Sequence, residues 1–248
     1  MAIIDLNADL GEGDPYDAEL LRIVSSCNIA CGGHAGDADS MLTTVKAAIQ
    51  NGVAIGAHPS YADREGFGRQ SGYQGGTGLL NTLTGQLRAL GAVVANCDAR
   101  IHHVKPHGAL YNDAAADADL AEIVAKAVLE AGNDVSLVGP PDSQLQRAAE
   151  RHLLGFLAEA FIDRAYLADG RLVPRAQPGA VHDSLDTIKA QAISLALHQS
   201  VTSIDGCQIA ISADTLCVHG DTPGAADAAR AVRSALQEHG IEIGVVDE

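Results

Sequence analysis

Side chains able to move protons, hold cations or bind anions fall in a few tight clusters along this sequence. Asn7, Asp9 and Glu12 lie in "DLNADLGEG". Asn28, His34 and Asp37 lie in "SCNIACGGHAGD". His58 ends "VAIGAH", and Lys105 and His107 end "RIHHVKPHG". Glu159, Asp163 and Arg164 follow "LLGFLA", and His219 and Asp221 close "TLCVHGD". Imidazoles beside carboxylates suit general acid–base chemistry near neutral pH. Asp9, His58 and His107 form a candidate three-ligand set for Zn²⁺ or another first-row divalent ion. Lys105 sits inside an apolar run, so its ammonium requires a carboxylate partner or a substrate anion. It is two residues from His107 and points the same way along a strand. That disfavours a cation there unless Glu12 or Asp37 intervenes.

The pair Cys27 and Cys31 with His34 has the spacing of soft metal ligands, but no second pair completes a structural zinc set. Buried thiols are the simpler reading for both, and for Cys97, Cys207 and Cys217. No G-x-G-x-x-G opens a helix, no G-x-x-x-x-G-K-[ST] is present, and no G-x-S-x-G elbow appears.

The elements that must position these residues alternate. "AIIDLNA", the end of "LRIVSSCNIA", "VAIGAH", "RIHHVKPHG", "DVSLVG", "LLGFLAEAF" and "TLCVHGD" read as strands, and "IEIGVV" closes the chain. Between them, Met41, Leu42, Val45 and Ile49 recur at helical spacing before Gly52. Leu80, Leu83, Leu87, Leu90 and Val94 mark a second helix. Leu120, Ile123, Val124 and Val128 mark a third, stopped by Gly132. Further helices are expected from Ser143 to Arg151, around Leu185–Leu195, and around Val232 and Leu236. Such alternation implies one α/β domain over residues 1–248 with a parallel sheet, either a closed barrel or an open doubly wound sheet. In both, the active site lies at the carboxyl ends of the strands, where the polar clusters sit. This convergence points to an enzyme.

Two long irregular segments interrupt the pattern, 58–78 and 163–183. Loops of this length in a compact domain are commonly functional. The glycine-rich stretch from Tyr61 to Gly78 is expected to act as a lid, with Arg64 and Arg69 offering positive charge to an anionic ligand.

The 248 residues carry a formal charge of -16, from 16 basic and 32 acidic side chains, and 3% aromatics. That balance disfavours nucleic acid and anionic membranes as partners. No run reaches the ~18 apolar residues of a membrane span. "MAIIDLNADL" lacks the basic start of a secretory leader, so a cytoplasmic location is expected.

The blocks "DLNADLGEG", "SCNIACGGHAGD", "GAHPSYADREGFGR", "HVKPHGALYN", "EAFIDRAYLADGRLVPR" and "LCVHGDTPGA" together resemble the LamB/YcsF family, from Asp5 to about Ile243. The resemblance implies an irregular seven-stranded (β/α) barrel of the glycoside hydrolase/deacetylase type. It implies the A component of an ATP-dependent 5-oxoprolinase, which opens the lactam of 5-oxo-L-proline to L-glutamate with partner subunits B and C. Asp9, Glu12, His34, Lys105 and His107 would then be catalytic, with Lys105 on the substrate carboxylate or on an imidate phosphate. Asn7, Asn28, Asp37, His58, Arg64, Arg69, Asp163, Arg164, His219 and Asp221 would bind substrate. Asp37 has a second reading as a helix cap, and Asp163–Arg164 one as a structural ion pair. ATP would be used by the complex. Two other functions fit the same residues: a stand-alone metal-dependent amide hydrolase or deacetylase, and a non-catalytic substrate-binding subunit. Gly33 stands where the family usually has Phe, and Gln70 where it usually has Arg.

Overall fold

The computed structural model of the chain describes residues 2–71, 77–132, 134–175, 177–220 and 224–245. Its strands are β1 (Ala2–Leu10), β2 (Ser26–Ala30), β3 (Ala54–His58), β4 (His103–Val104), β5 (Ser136–Gly139), β6 (Phe156–Phe161), β7 (Ser200–Thr202), β8 (Gln208–Ala210), β9 (Thr215–Val218) and β10 (Ile241–Ile243). Its helices are α1 (Asp17–Leu20), α2 (Ala38–Asn51), α3 (Thr77–Ala95), α4 (Gly108–Ala116), α5 (Ala118–Ala131), α6 (Gln144–Arg151), α7 (Leu185–His198) and α8 (Ala225–Glu238).

Seven strands run parallel in the order β1-β2-β3-β4-β5-β6-β9. β9 then pairs with β1, so the sheet closes into a barrel. Sequence alternation leaves barrel and open sheet equally available; this one pairing decides it. β10 extends β1 at its amino end, Ala2 opposite Ile241. β7 and β8 form a separate antiparallel hairpin.

Local chemistry explains where the helices begin and end. The Asp37 carboxylate accepts from the amides of Asp39 and Ser40, while the Ser40 hydroxyl is within 2.8 Å of the Asp37 amide, a reciprocal cap for α2. α2 stops at Gly52 in the left-handed region. Asp117 and Ser143 cap α5 and α6 one way only, their side-chain oxygens accepting from the amides of Leu120 and Gln146. The sequence pattern marks neither α4 nor the β7–β8 hairpin. α4 buries only Leu110, Tyr111 and Ala114, and its entry residue His107 makes no side-chain cap. Too little apolar periodicity remains to signal it.

β1 shows how the barrel is built. Ile4, Leu6, Ala8 and Leu10 face outward into the large apolar layer under the helices. Asp5, Asn7 and Asp9 alternate with them and face the lumen. The lumen is therefore polar and bonded across strands. Asp5 accepts from Ser26 and Thr215 at 2.6 Å each. Asn7 donates to Thr215 at 2.7 Å and to Glu159 at 3.1 Å. Polar groups buried at this density are tolerated because they bond one another.

Gly56 is part of this fit. It pairs with both Asn28 and His103 on the flanking strands. With no side chain there, the His103 ring crosses β3 and its Nε2 meets Asn28 Oδ1 at 2.7 Å. A Cβ on Gly56 would overlap the His103 ring. Gly56→Ala is expected to lower stability by about 1–3 kcal/mol, measured by urea denaturation, and to loosen Asn28. An unchanged midpoint would show that the ring has room to move.

Candidate active site

A cavity of about 450 Å³ opens at the carboxyl ends of the strands, with Asp9, Glu12, His58, Lys105, His107 and His219 in its wall. Asp9 is at the end of β1. Its Oδ1 accepts from Asn28 at 2.8 Å and from Lys105 Nζ at 3.0 Å, and its Oδ2 is 3.4 Å from His58 Nε2. Burial pushes the Asp9 pKa up, but His58 and Lys105 outweigh it and hold the group well below the usual carboxylate range. Asp9 is thus ionised. Glu12 differs: burial raises its pKa, and neighbouring Asp9 adds to the effect.

Three imidazoles converge on Glu12. Its Oε1 is 2.8 Å from His34 Nε2, 3.4 Å from His107 Nδ1 and 3.9 Å from His58 Nε2. The His34 and His107 rings stack at 3.6 Å, and His58 Nε2 is 3.0 Å from His107 Nδ1. The far nitrogen of each ring meets an oxygen. His34 Nδ1 is 3.0 Å from Ser60 Oγ, whose own hydrogen goes to the Tyr61 carbonyl. His58 Nδ1 is 2.7 Å from the Lys105 carbonyl, and His107 Nε2 is 3.0 Å from the Phe67 carbonyl. With those far nitrogens protonated, the three near nitrogens turn lone pairs toward one another and toward Glu12. Burial, and then His58, lowers both His34 and His107 to about 3, so both are neutral. Burial also acts to lower His58, but Asp9 outweighs it and leaves that pKa raised.

The group able to hold a metal ion is therefore Glu12, His34, His58 and His107, whose ligand atoms lie within 4.8 Å of one another. The sequence-based trio Asp9, His58 and His107 is altered: Asp9 is turned to Lys105 and Asn28, and Glu12 and His34 stand in its place. The reason is the Gly11–Gly13 turn after β1, where Gly11 and Gly13 adopt positive φ and the chain folds Glu12 back over the mouth.

Other assignments change as well. Lys105 is buried, with Asp9 at 3.0 Å and Glu159 at 2.8 Å. Of the two expected partners for its ammonium, the structure shows carboxylates of the protein itself. Asn7 and Asn28 are buried outside the cavity lining, where Asn28 donates to both Asn7 and Asp9. Asp37 is exposed and caps α2. Arg64 is exposed and donates to the carbonyls of Gly32 and Gly36, clamping the His34 loop. Arg164 donates to the carbonyls of Ala180 and Val173, which orders the 163–183 segment, while still lining the cavity beside Arg69 and Arg175. Asp163 is bonded to His219, not to Arg164. Asp221 lies outside the described residues, as does the 72–76 part of the expected lid. The described part of that loop is anchored: Phe67 packs edge-on against His34 and His107, and Gly68 accepts from the Ala109 amide. Cys207 is exposed rather than in the core.

Several contributors escape a reading of the sequence or gain a role only here. Glu159, His103, Ser60 and Gly56 all act from buried positions. The double histidine at 102–103 is the one available signal, since a strand of alternating faces must send one of the two inward. Gly33 is also explained. A Cβ there would run into Ser60 Oγ and Gln86 Oε1. Gln86 uses that space to bond both the amide and the carbonyl of Ser60, at 3.0 and 2.8 Å, and so steadies the partner of His34.

Fold and site together define a closed (β/α) barrel with a histidine–carboxylate centre at the carboxyl ends of its strands. The LamB/YcsF family model matches residues 4–248, and the chain belongs to that family. It is similar to a lactam utilization protein from Thermus thermophilus, with 38% identity, TM-score 0.92, and coverage of 98% of this chain and 99% of that one. At the level of fold alone it resembles a family 4 carbohydrate esterase from Streptomyces lividans (12% identity, TM-score 0.54, covering 99% and 93% of the two chains). It likewise resembles a GH113 β-mannanase from Alicyclobacillus acidocaldarius (11% identity, TM-score 0.52, covering 96% and 98%). Among the described residues no helix is long and apolar enough to cross a membrane.

Proposed function

We propose that this chain is the lactam-opening A component of an ATP-dependent 5-oxoprolinase, converting 5-oxo-L-proline to L-glutamate together with subunits B and C. The observation that carries this reading is one small cavity that joins three kinds of group. Its wall carries the ionised Asp9, the Glu12, His58 and His107 members of the centre that His34 completes, and a cationic side of Arg69, Arg164 and Arg175. In a protein of charge -16 such a wall suits a small anionic substrate. Membership of the LamB/YcsF family and the likeness to a lactam utilization protein support the same substrate class.

The residues fit a first-row divalent cation: three imidazole nitrogens and one carboxylate oxygen, His34 and His107 already neutral and His58 giving up its proton on binding, each ring braced by an acceptor on its far side. When bound, such an ion supplies Lewis-acid polarisation of the amide carbonyl. The remaining work falls to the protein. The arginines hold the substrate carboxylate and orient the ring. His58 and Lys105 keep Asp9 ionised, and Asn28 helps to aim it at the mouth. Asp9 accepts the proton of the attacking water. ATP enters through the complex, which supplies the energy a stable lactam requires.

The direct test is ATP-dependent glutamate release from 5-oxoproline by subunits B and C, with and without this chain. Release is expected only when the chain is present; an equal rate without it would refute the assignment. The metal set favours a second reading, a stand-alone metal-dependent amide hydrolase. Hydrolysis by the isolated chain without ATP, abolished by a chelator, would establish that reading instead. Elemental analysis after zinc loading and dialysis is expected to find about one equivalent in the wild type and much less in His34→Ala or His107→Ala.

A further inference from the structure

We infer that His219, held by Asp163, delivers the proton to the leaving nitrogen when the ring opens, and is thus a catalytic residue rather than part of the binding wall. The inference rests on the lactam-opening reading above. Three adjacent strand exits bring the parts together. β9 pairs with β1 through Ala8 and Val218, so the next step sets Asp9 beside His219. β6 pairs with β9 through Phe161 and Cys217, so two steps further set Asp163 beside His219. Neighbouring strands lie about 4.8 Å apart, within reach of one small bound ring.

The orientation is fixed from two sides. His219 Nδ1 is 2.9 and 2.7 Å from the two Asp163 oxygens, and a carboxylate can only accept, so Nδ1 carries hydrogen. The ring also stacks on Phe161 at 5.7 Å and 24°. The Nε2 edge is left for the cavity that His219 shares with Asp9, His58 and His107. Burial acts to lower the His219 pKa, but Asp163 outweighs it and raises the group, which favours a proton on both nitrogens near neutral pH. The other charged groups that bear on the ring are Asp9, which adds to the rise, and Lys105, which opposes it. Arg164 acts on Asp163 in turn.

Among the described residues no other group in the wall is as well suited. His34, His58, His107 and Glu12 point into one another. Lys105 is tied to Asp9 and Glu159. Tyr111 is buried, and its pKa is driven well above the usual phenol range. The proton inventory closes. Water bonds through oxygen to the carbonyl carbon and gives one proton to Asp9. The C–N bond then breaks, its electron pair goes to nitrogen, and the Nε2 proton of His219 goes with it. Asp9 releases a proton to solvent and His219 regains one, so the ring-opening step consumes one water, and ATP hydrolysis elsewhere in the complex consumes a second.

The test uses the reconstituted complex with ATP, comparing wild type, His219→Gln and Asp163→Asn. His219→Gln is expected to lower kcat by about 100-fold or more with KM within about threefold of wild type. The wild-type rate should fall as pH rises through the His219 pKa. Asp163→Asn keeps the ring but removes its anion, so this alkaline limb should move to lower pH, in step with the His219 resonance followed by NMR. The dispersion of the remaining imidazole resonances reports that each variant is folded. A raised KM with kcat retained, or an alkaline limb unmoved in Asp163→Asn, would overturn the inference and return His219 to substrate binding. A wild-type complex that releases no glutamate defeats the lactam reading itself, and the inference with it.

Discussion

Lys105→Met is expected to destabilise the protein by about 3–5 kcal/mol near neutral pH, the usual effect of removing one member of a buried charge network. The ammonium lies between Asp9 at 3.0 Å and Glu159 at 2.8 Å and is itself buried. Methionine restores the volume but leaves two carboxylates facing each other in the lumen. The effect has a defined pH dependence. In the wild type, burial acts to raise the folded-state pKa of Asp9, but His58 and Lys105 outweigh it and leave that pKa lowered. Its stabilising contribution is therefore complete above the unfolded value of about 3.9 and is lost as pH falls through the folded value. The gap between wild type and variant should be widest near neutrality and should narrow below about pH 4. Urea denaturation at a series of pH values measures it. A gap that stays constant, or grows on acidification, would show that Lys105 stabilises through packing of its stem instead of its charge.

The second large effect concerns catalysis. Asp9→Asn is expected to cut turnover roughly 10²–10⁴-fold, the range for loss of a positioned general base, with much less effect on KM. Asparagine keeps the shape and can still meet Lys105 through its oxygen. It cannot accept a proton from water. It also removes the anion that raises the His58 pKa, so the His58 imidazole should titrate at lower pH in the variant. NMR of the ring and steady-state kinetics on the same sample give two independent readouts. Turnover retained within about tenfold would move the base function to another group.

The outline of this protein is written locally in its sequence. Alternating runs of apolar residues at period 2 and at helical spacing depend on neighbours within about a dozen positions, so strands and helices can be read in order. The parallel direction that βα alternation imposes then places Asp9, His58, His107 and His219 at one end without any tertiary information. Helix limits set by Asp37 and Gly52 are legible for the same reason: caps act within a few residues.

What only the tertiary structure decides depends on closing the ring. Pairing of β9 with β1 brings Thr215 and Cys217 beside Asp5 and Asn7, contacts more than two hundred positions apart in sequence. That closure creates the polar lumen. Lys105 there finds Glu159 across the barrel, and His103 reaches Asn28 because Gly56 leaves the way clear. The turn after β1 returns Glu12 to the three imidazoles, whereas Arg64, placed near them by sequence, ends on the carbonyls of Gly32 and Gly36. Residue type and spacing fix which chemistry is available at a strand end. Which partner each charge takes is set by distances of about 3 Å across strands, and sequence separation carries no record of them.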